Sequence, residues 1–275
     1  NSTDNTPAVV GEYKDFATYV FEGRTAFTRA RSTGADNATG DILLYLDDDV
    51  IVKKGSLASI IKVFREHRDC GVIAGKIDPK FDKEPPLWAL DCQKSFNGWS
   101  LYNKETYAFI KNPFQEVISA AGPMMAIRRD VYELIGGFPP DTVGVETNRG
   151  KKSFNKLYVG PGDYGLCIKI RQAGFKVYYC SDISVFHVIP EMRFTSSFWR
   201  SRMIGEGYQD AITQRAFFKQ SSWGLTKKRL HARLMFIYFE RKLLRKITML
   251  EELVQDGIFP EELWVDFYKA YLDMD

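Results

Sequence analysis

LLYLDDDVIV, residues 43–52, sets four apolar residues against Asp47, Asp48 and Asp49 and then returns to Val50, Ile51 and Val52. With Ile42, the first part reads as a buried strand, because an apolar run without polar alternation suits a strand covered on both faces. Three adjacent carboxylates repel one another, and enclosing them without a counter-charge is expensive. In an open α/β sheet, ligands bind beyond the carboxyl ends of the strands. Alternate residues of an extended chain point the same way, so Asp47 and Asp49 could share a ligand. A hard divalent cation, Mn²⁺ or Mg²⁺, suits such a pair, since it takes carboxylate oxygens and keeps positions for substrate phosphates. A solvated acidic turn is the other reading of the same residues.

Similar apolar runs lie at 71–77 (GVIAGKI), 117–127 (VISAAGPMMAI) and 175–179 (FKVYY). Segments of helical period fall near 24–38, 55–67, 128–135, 163–173 and 196–219. Gly136-Gly137 supplies a helix stop after Leu134. This alternation predicts an α/β fold, a mostly parallel sheet flanked by helices. Residues 80–115 break the rhythm with Pro85-Pro86, Trp88, Trp99 and Tyr102, and read as a long functional excursion. From about residue 223 the pattern is wholly helical, with Pro260 opening the last helix. The chain is therefore divided into an α/β domain, 1–222, and a helical C-terminal extension, 223–275.

The 275 residues are 45% hydrophobic and 27% charged, enough to bury a core without staples. A net charge of +3 is too small to argue for a nucleic-acid partner. Cys70, Cys92, Cys167 and Cys180 are widely spaced, which predicts reduced, buried thiols and a cytoplasmic location. No apolar run approaches a membrane span, and no signal peptide is visible. Residues 224–246 carry eight Lys/Arg against one acidic residue, interleaved with Leu225, Leu230, Leu234, Phe236, Ile237, Phe239, Leu243 and Leu244. Such a helix either rests peripherally on an anionic membrane surface or packs on the α/β domain with a solvated face.

Three blocks flank the aspartates. ARSTGADNATGD, 30–41, puts Arg31 and a small-residue turn before the strand. GPGDYGLCIKIRQAG, 160–174, opens an amphipathic helix with Asp163, whose simplest local role is a cap. VFHVIP, 185–190, ends an apolar run with His187, where packing and ligation are both open.

In their order, these blocks resemble the family 2 glycosyltransferases, inverting enzymes of the GT-A fold that use nucleotide-sugar donors. The matching pieces are NSTDNT at 1–6, ARSTG with ATGDILLYLDDD within 30–49, AAGPMMAIRRDVYELIGGF at 120–138, GDYGLCIKIRQAGFKVYY at 162–179 and VFHVIP, followed by FWRSRMIGEGYQDA. The resemblance covers roughly residues 1–215. It implies that Asp47 and Asp49, with Asp48 between, clamp the metal and the nucleoside diphosphate, with Asp49 the first metal ligand. It places Arg31 beside the nucleotide and Gly122 in the donor-sugar pocket. It makes Asp163 the general base and sets His187 at the metal. The donor is then UDP-, GDP- or dTDP-linked and the acceptor a saccharide or lipid-linked saccharide. Trp88, Trp99 and Tyr102 could stack on acceptor rings, and Arg200 and Arg202 could reach phosphates.

Two departures stand out. Gly162 occupies the place of the family's usual Glu before the base. The sequence also begins at the block that in the family follows two strands, so the base-reading Asp and those strands are expected to precede Asn1. Two other readings compete: a haloacid-dehalogenase-like phosphatase, which also begins with a strand ending in Asp-x-Asp, and an inactive glycosyltransferase-like binding domain.

Overall fold

The apolar run before the aspartates is a strand, β1 (Ile42–Leu46), and the residues after them form β2 (Val50–Val52). The computed structural model describes residues 2–24, 26–141, 161–218, 231–242 and 260–273. Four more strands follow: β3 (Cys70–Phe81), β4 (Phe114–Val117), β5 (Met124–Arg128) and β6 (Lys176–Ile189). They make one sheet in the order β1-β5-β3-β6-β2, with β4 alongside β6.

The α/β class holds, but the pairing corrects the expectation of a mostly parallel sheet. Among the described residues only β3 and β6 run parallel, while β1–β5, β3–β5, β2–β6 and β4–β6 are antiparallel. Apolar alternation reports that a segment is a strand, not which way its neighbour runs. The run at 117–127 likewise divides, with β4 ending at Val117 and β5 starting at Met124. Between them Ile118 is exposed and Gly122-Pro123 turns the chain. β1 is a terminal strand of this sheet rather than one buried on both faces: Leu43 is buried, but Leu46 is 41% exposed.

The helices follow the periodic segments closely. They are α1 (Thr6–Gly11), α2 (Phe27–Asn37), α3 (Ser56–Glu66), α4 (Leu87–Ser95), α5 (Arg129–Leu134), α6 (Gly162–Gln172), α7 (Ser196–Phe217), α8 (231–242) and α9 (Pro260–Asp273). In α3, Ile60, Val63 and Phe64 recur at helical spacing and are buried. In α6, Leu166, Cys167 and Ile170 do the same under the sheet. Central strand residues Ile73, Ile77, Met124, Met125 and Ile127 complete the core. All four cysteines are buried and none forms a disulfide.

The 80–115 excursion contains α4 and then folds back, pairing Tyr102 with Ile77 of β3. The described part of the C-terminal extension docks on it and on α7. Trp264 of α9 meets Phe96 at 4.1 Å and stacks with Phe239 of α8 at 5.4 Å between centroids. Where α7 crosses α9, a Cβ on Gly207 would collide with the Phe267 carbonyl, so glycine lets the two backbones touch. Both ends of the basic segment 224–246, residues 224–230 and 243–246, lie outside the described residues, including Leu225, Leu230, Leu243 and Leu244.

Candidate active site

The three aspartates fill the turn between β1 and β2, and the structure gives each a different surrounding. Asp47 accepts from Nη2 of Arg31 at 3.0 Å. Asp48 is exposed. Asp49 accepts from Nη2 of Arg193 at 2.7 Å, and its Oδ2 stands 3.2 Å from Nε2 of His187. The repulsion posed by the sequence is thus relieved by two arginines, Arg31 on Asp47 and Arg193 on Asp49.

Arg31, on the second turn of α2, is 9% exposed and holds two carboxylates. Nη1 pairs with Asp163 and Nη2 with Asp47. The ring of Phe27, one helical turn earlier, lies 3.9 Å from the guanidinium carbon, with Tyr45 and Phe138 near 6 Å. An arginine keeps its charge in such a place and stacks on aromatic faces.

Asp163 lies in the first turn of α6, where the helix dipole favours an anion. It does not cap the helix through its side chain, since no cap bond forms at that end. Burial pushes its carboxyl above the ordinary aspartate range, while Arg31 and the Gly122 N–H pull the other way and the Asp47 charge adds to the rise. Gly122 lets this pair close on the backbone: a Cβ there would come within 2.5 Å of both Arg31 Nη2 and Asp163 Oδ2, so the pair would have to shift. Gly162 has φ +50°, a left-handed conformation that L side chains rarely adopt. Its backbone thus accounts for the absence of a larger residue before Asp163.

His187 sits in β6 opposite Val50 of β2, and is buried. Its Nδ1 donates to the Trp99 carbonyl at 2.8 Å. Trp99 is followed by Ser100 at φ +54°, the one positive-φ non-glycine residue described. Such a conformation costs energy and is retained where the surroundings demand it; here it follows the carbonyl that orients His187.

The residues expected to bind metal do not all converge. Among the described residues no set of three or more His, Cys, Asp or Glu is grouped to hold a cation. Asp49 and His187 come together, while Asp47 accepts from Arg31. Two donors still fit a cation that takes its remaining ligands from phosphates. Asp49 Oδ1 is buried without a hydrogen-bond partner, an acceptor available to such an ion.

The acceptor residues change most. Trp99 is 1% exposed, its ring enclosed by Phe81, Phe194 and Trp199, so it cannot stack on a sugar from solvent. Tyr102 is buried as well, its hydroxyl donating to the Ser119 carbonyl. Trp88 is half-buried at the start of α4 and packs on the core. Arg200 pairs with Glu262 and Asp266 of α9, tying α7 to the extension rather than meeting a phosphate. Arg202 pairs with Glu206 at 2.9 Å and donates to Ser100 Oγ. Arg193 joins the site from outside every block read in the sequence. A groove of about 890 Å³ runs beside β1, lined by Leu44, Ile60, Phe64, Arg128 and Arg129, but includes none of the site residues.

This sheet, flanked by helices, has the GT-A fold. A solved mannosyltransferase from Pyrobaculum calidifontis, PcManGT in complex with GDP-Man and Mn²⁺, shares the fold. Its TM-score is 0.52 at 16% identity, over 99% of this chain and 73% of that one. Residues 1–136 match the family described as glycosyl transferase family 2, and the chain belongs to that family. Among curated relatives, a glucosyl-dolichyl phosphate glucuronosyltransferase of Haloferax volcanii is 22% identical over 210 residues, 74% of this chain and 60% of the relative. The O-antigen chain rhamnosyltransferase WbaN of Salmonella anatum is 25% identical over 193 residues, 68% of this chain and 54% of the relative. The chain therefore spans less than two thirds of the length of these relatives. Family membership replaces the phosphatase reading.

Proposed function

We propose that the chain carries out metal-assisted, inverting glycosyl transfer from a nucleoside-diphosphate sugar to the hydroxyl of a saccharide or lipid-linked saccharide. The observation that carries this is the paired site: Arg31 with Asp163 and Asp47, and Arg193 with His187 and Asp49. The acceptor oxygen attacks the anomeric carbon as the bond from that carbon to the diphosphate oxygen breaks. The acceptor proton passes to Asp163, and the electron pair leaves with the nucleoside diphosphate. A single displacement of this kind inverts the anomeric centre. Burial suits Asp163 to the task by making its carboxylate a better proton acceptor. Arg31 holds Asp163 and Asp47 in place and supplies fixed positive charge. A divalent cation, Mn²⁺ or Mg²⁺, held by Asp49 and His187 would serve as Lewis acid for the departing diphosphate.

The three names just given speak of mannosyl, glucuronosyl and rhamnosyl transfer and of a dolichyl phosphate substrate. They support sugar transfer to lipid-linked or polysaccharide acceptors by this chain, without selecting a donor. Among the described residues no helix is long and apolar enough to cross a membrane. A cytoplasmic protein resting at the inner membrane face fits a lipid-linked acceptor. In α8, Leu234, Ile237 and Tyr238 are exposed beside Arg233, Arg241 and Lys242.

The test is release of nucleoside diphosphate from UDP-, GDP- and dTDP-sugars with Mn²⁺. Release that depends on both donor and metal is expected. Binding of a nucleotide sugar without release, whatever the acceptor, points instead to a glycosyltransferase-like binding domain and defeats the catalytic reading.

A further inference from the structure

Asp49 Oδ2 and His187 Nε2 stand 3.2 Å apart, and the hydrogen bonds around them decide what lies between. His187 Nδ1 faces the Trp99 carbonyl, which can only accept, so Nδ1 carries the ring proton. Nε2 faces Nη1 of Arg193 at 3.0 Å, which can only donate, so Nε2 presents a lone pair. A carboxylate oxygen and an imidazole lone pair at this separation repel unless a cation bridges them. Arg193 is that bridge, with Nη1 on His187 and Nη2 on Asp49.

The same two donors suit a divalent ion. With metal–ligand bonds of about 2.1 Å in octahedral geometry, neighbouring donors stand about 3 Å apart. Guanidinium and metal therefore compete for one place. Among the described residues Asp49 alone supplies a carboxylate to both His187 and Arg193, and beside one carboxylate a dication and an arginine repel each other. Adding the negative charge of a diphosphate lets both cations remain, one on the carboxylate and one on the phosphates.

Building on the metal-assisted reading above, we propose that Arg193 is a resident counter-cation. It keeps Asp49 and His187 assembled and turns away free divalent ions. It yields to a metal that arrives with a nucleoside diphosphate, and then pairs with that diphosphate. Its seat permits the movement. Arg193 ends a single 3₁₀ turn, Glu191–Arg193, between Pro190 and the start of α7. Its side chain is 26% exposed, so it can swing out without opening the core. Metal and donor would then bind together, which limits occupancy by stray ions.

The experiment is Mn²⁺ binding by electron paramagnetic resonance to the whole chain, its Arg193→Ala and its Arg193→Lys variants, each checked for folding by circular dichroism. Mn²⁺ is titrated alone and with UDP, GDP or dTDP. The Ala variant is expected to bind Mn²⁺ alone at least about tenfold more tightly. That factor corresponds to about 1.4 kcal/mol, close to what one hydrogen bond to a charged group contributes. The tightening of Mn²⁺ binding by nucleotide should shrink by a similar factor. The Lys variant, which keeps the charge, should stay near wild type in both. If the Ala variant binds Mn²⁺ alone no more tightly than wild type, Arg193 is only a structural tie and the proposal is overturned, while metal assistance stands. If the wild-type chain binds no Mn²⁺ with any of the three nucleotides, metal assistance fails and this proposal falls with it.

Discussion

Asp163→Asn is expected to reduce glycosyl transfer by about 10²–10⁴-fold, the usual contribution of a positioned general base, with little change in nucleotide binding. Asn keeps the shape of the side chain but cannot take a proton. Arg31 loses one carboxylate and keeps Asp47 at 3.0 Å, so the constellation should remain assembled. The pH dependence gives a second reading of the same residue. Burial raises the Asp163 carboxyl, so the base stays protonated to a higher pH than an ordinary aspartate at about 3.9. The acid limb of kcat/KM should therefore lie above that range and be missing from the residual rate of the Asp163→Asn protein. Arg31 opposes the rise, and Arg31→Gln should carry the limb to still higher pH. Linkage runs in the same direction. A carboxyl whose folded-state value is raised binds more protons folded than unfolded, so its contribution to stability falls as pH climbs from the unfolded value through the folded one. Full transfer by a well-folded Asp163→Asn protein removes Asp163 from the base role.

Asp49→Asn should cost more than about a hundredfold in metal-stimulated transfer, because a Lewis acid at the leaving group contributes several kcal/mol. The substitution removes the carboxylate of the Asp49–His187 pair and leaves His187 fixed by the Trp99 carbonyl. Asp48→Asn is the matched control. Its side chain is exposed and should matter less than about threefold. Rate measured against Mn²⁺ concentration separates the two. The Asp49→Asn protein should respond weakly or need far more metal, while the Asp48→Asn protein should saturate as wild type does. An unchanged Mn²⁺ response in the Asp49→Asn protein would move the metal elsewhere.

How much of this is legible in the chain depends on how local the signal is. Helices α2, α3, α6 and α7 fall within a few residues of the segments with helical period, because that period is set by neighbours three and four positions away. Strand direction is set by partners far along the chain, and for that reason the antiparallel β1–β5 and β2–β6 pairs leave no local mark. The site divides similarly. Arg31, Asp163 and His187 stand in blocks whose order is recognisable. Arg193 meets Asp49 across 144 residues and sits in no such block. The signal that points to it is electrostatic: three aspartates in a row need more positive charge than Arg31 provides. Trp99 and Arg200 differ from expectation because what encloses them, Trp199 and the acids of α9, is equally remote.

One irregularity in β6 governs where His187 points. Along the parallel β3–β6 ladder, Gly75 is opposite Cys180, but the next residue, Lys76, is opposite Ser184, so Ser181, Asp182 and Ile183 are accommodated as an interruption. A Cβ on Gly75 would meet the Ile183 carbonyl at 2.9 Å, so glycine makes room for it. An odd number of extra residues reverses which face each later side chain occupies. The far half of β6, with His187, is therefore phased by this interruption rather than by the first half of the strand. A one-residue insertion or deletion at 181–183 that slipped the far half of β6 by one position against β3 and β2 would turn His187 to the opposite face. In a lineage of such proteins, a change of loop length at that point could silence the metal side of the site while the sheet still formed.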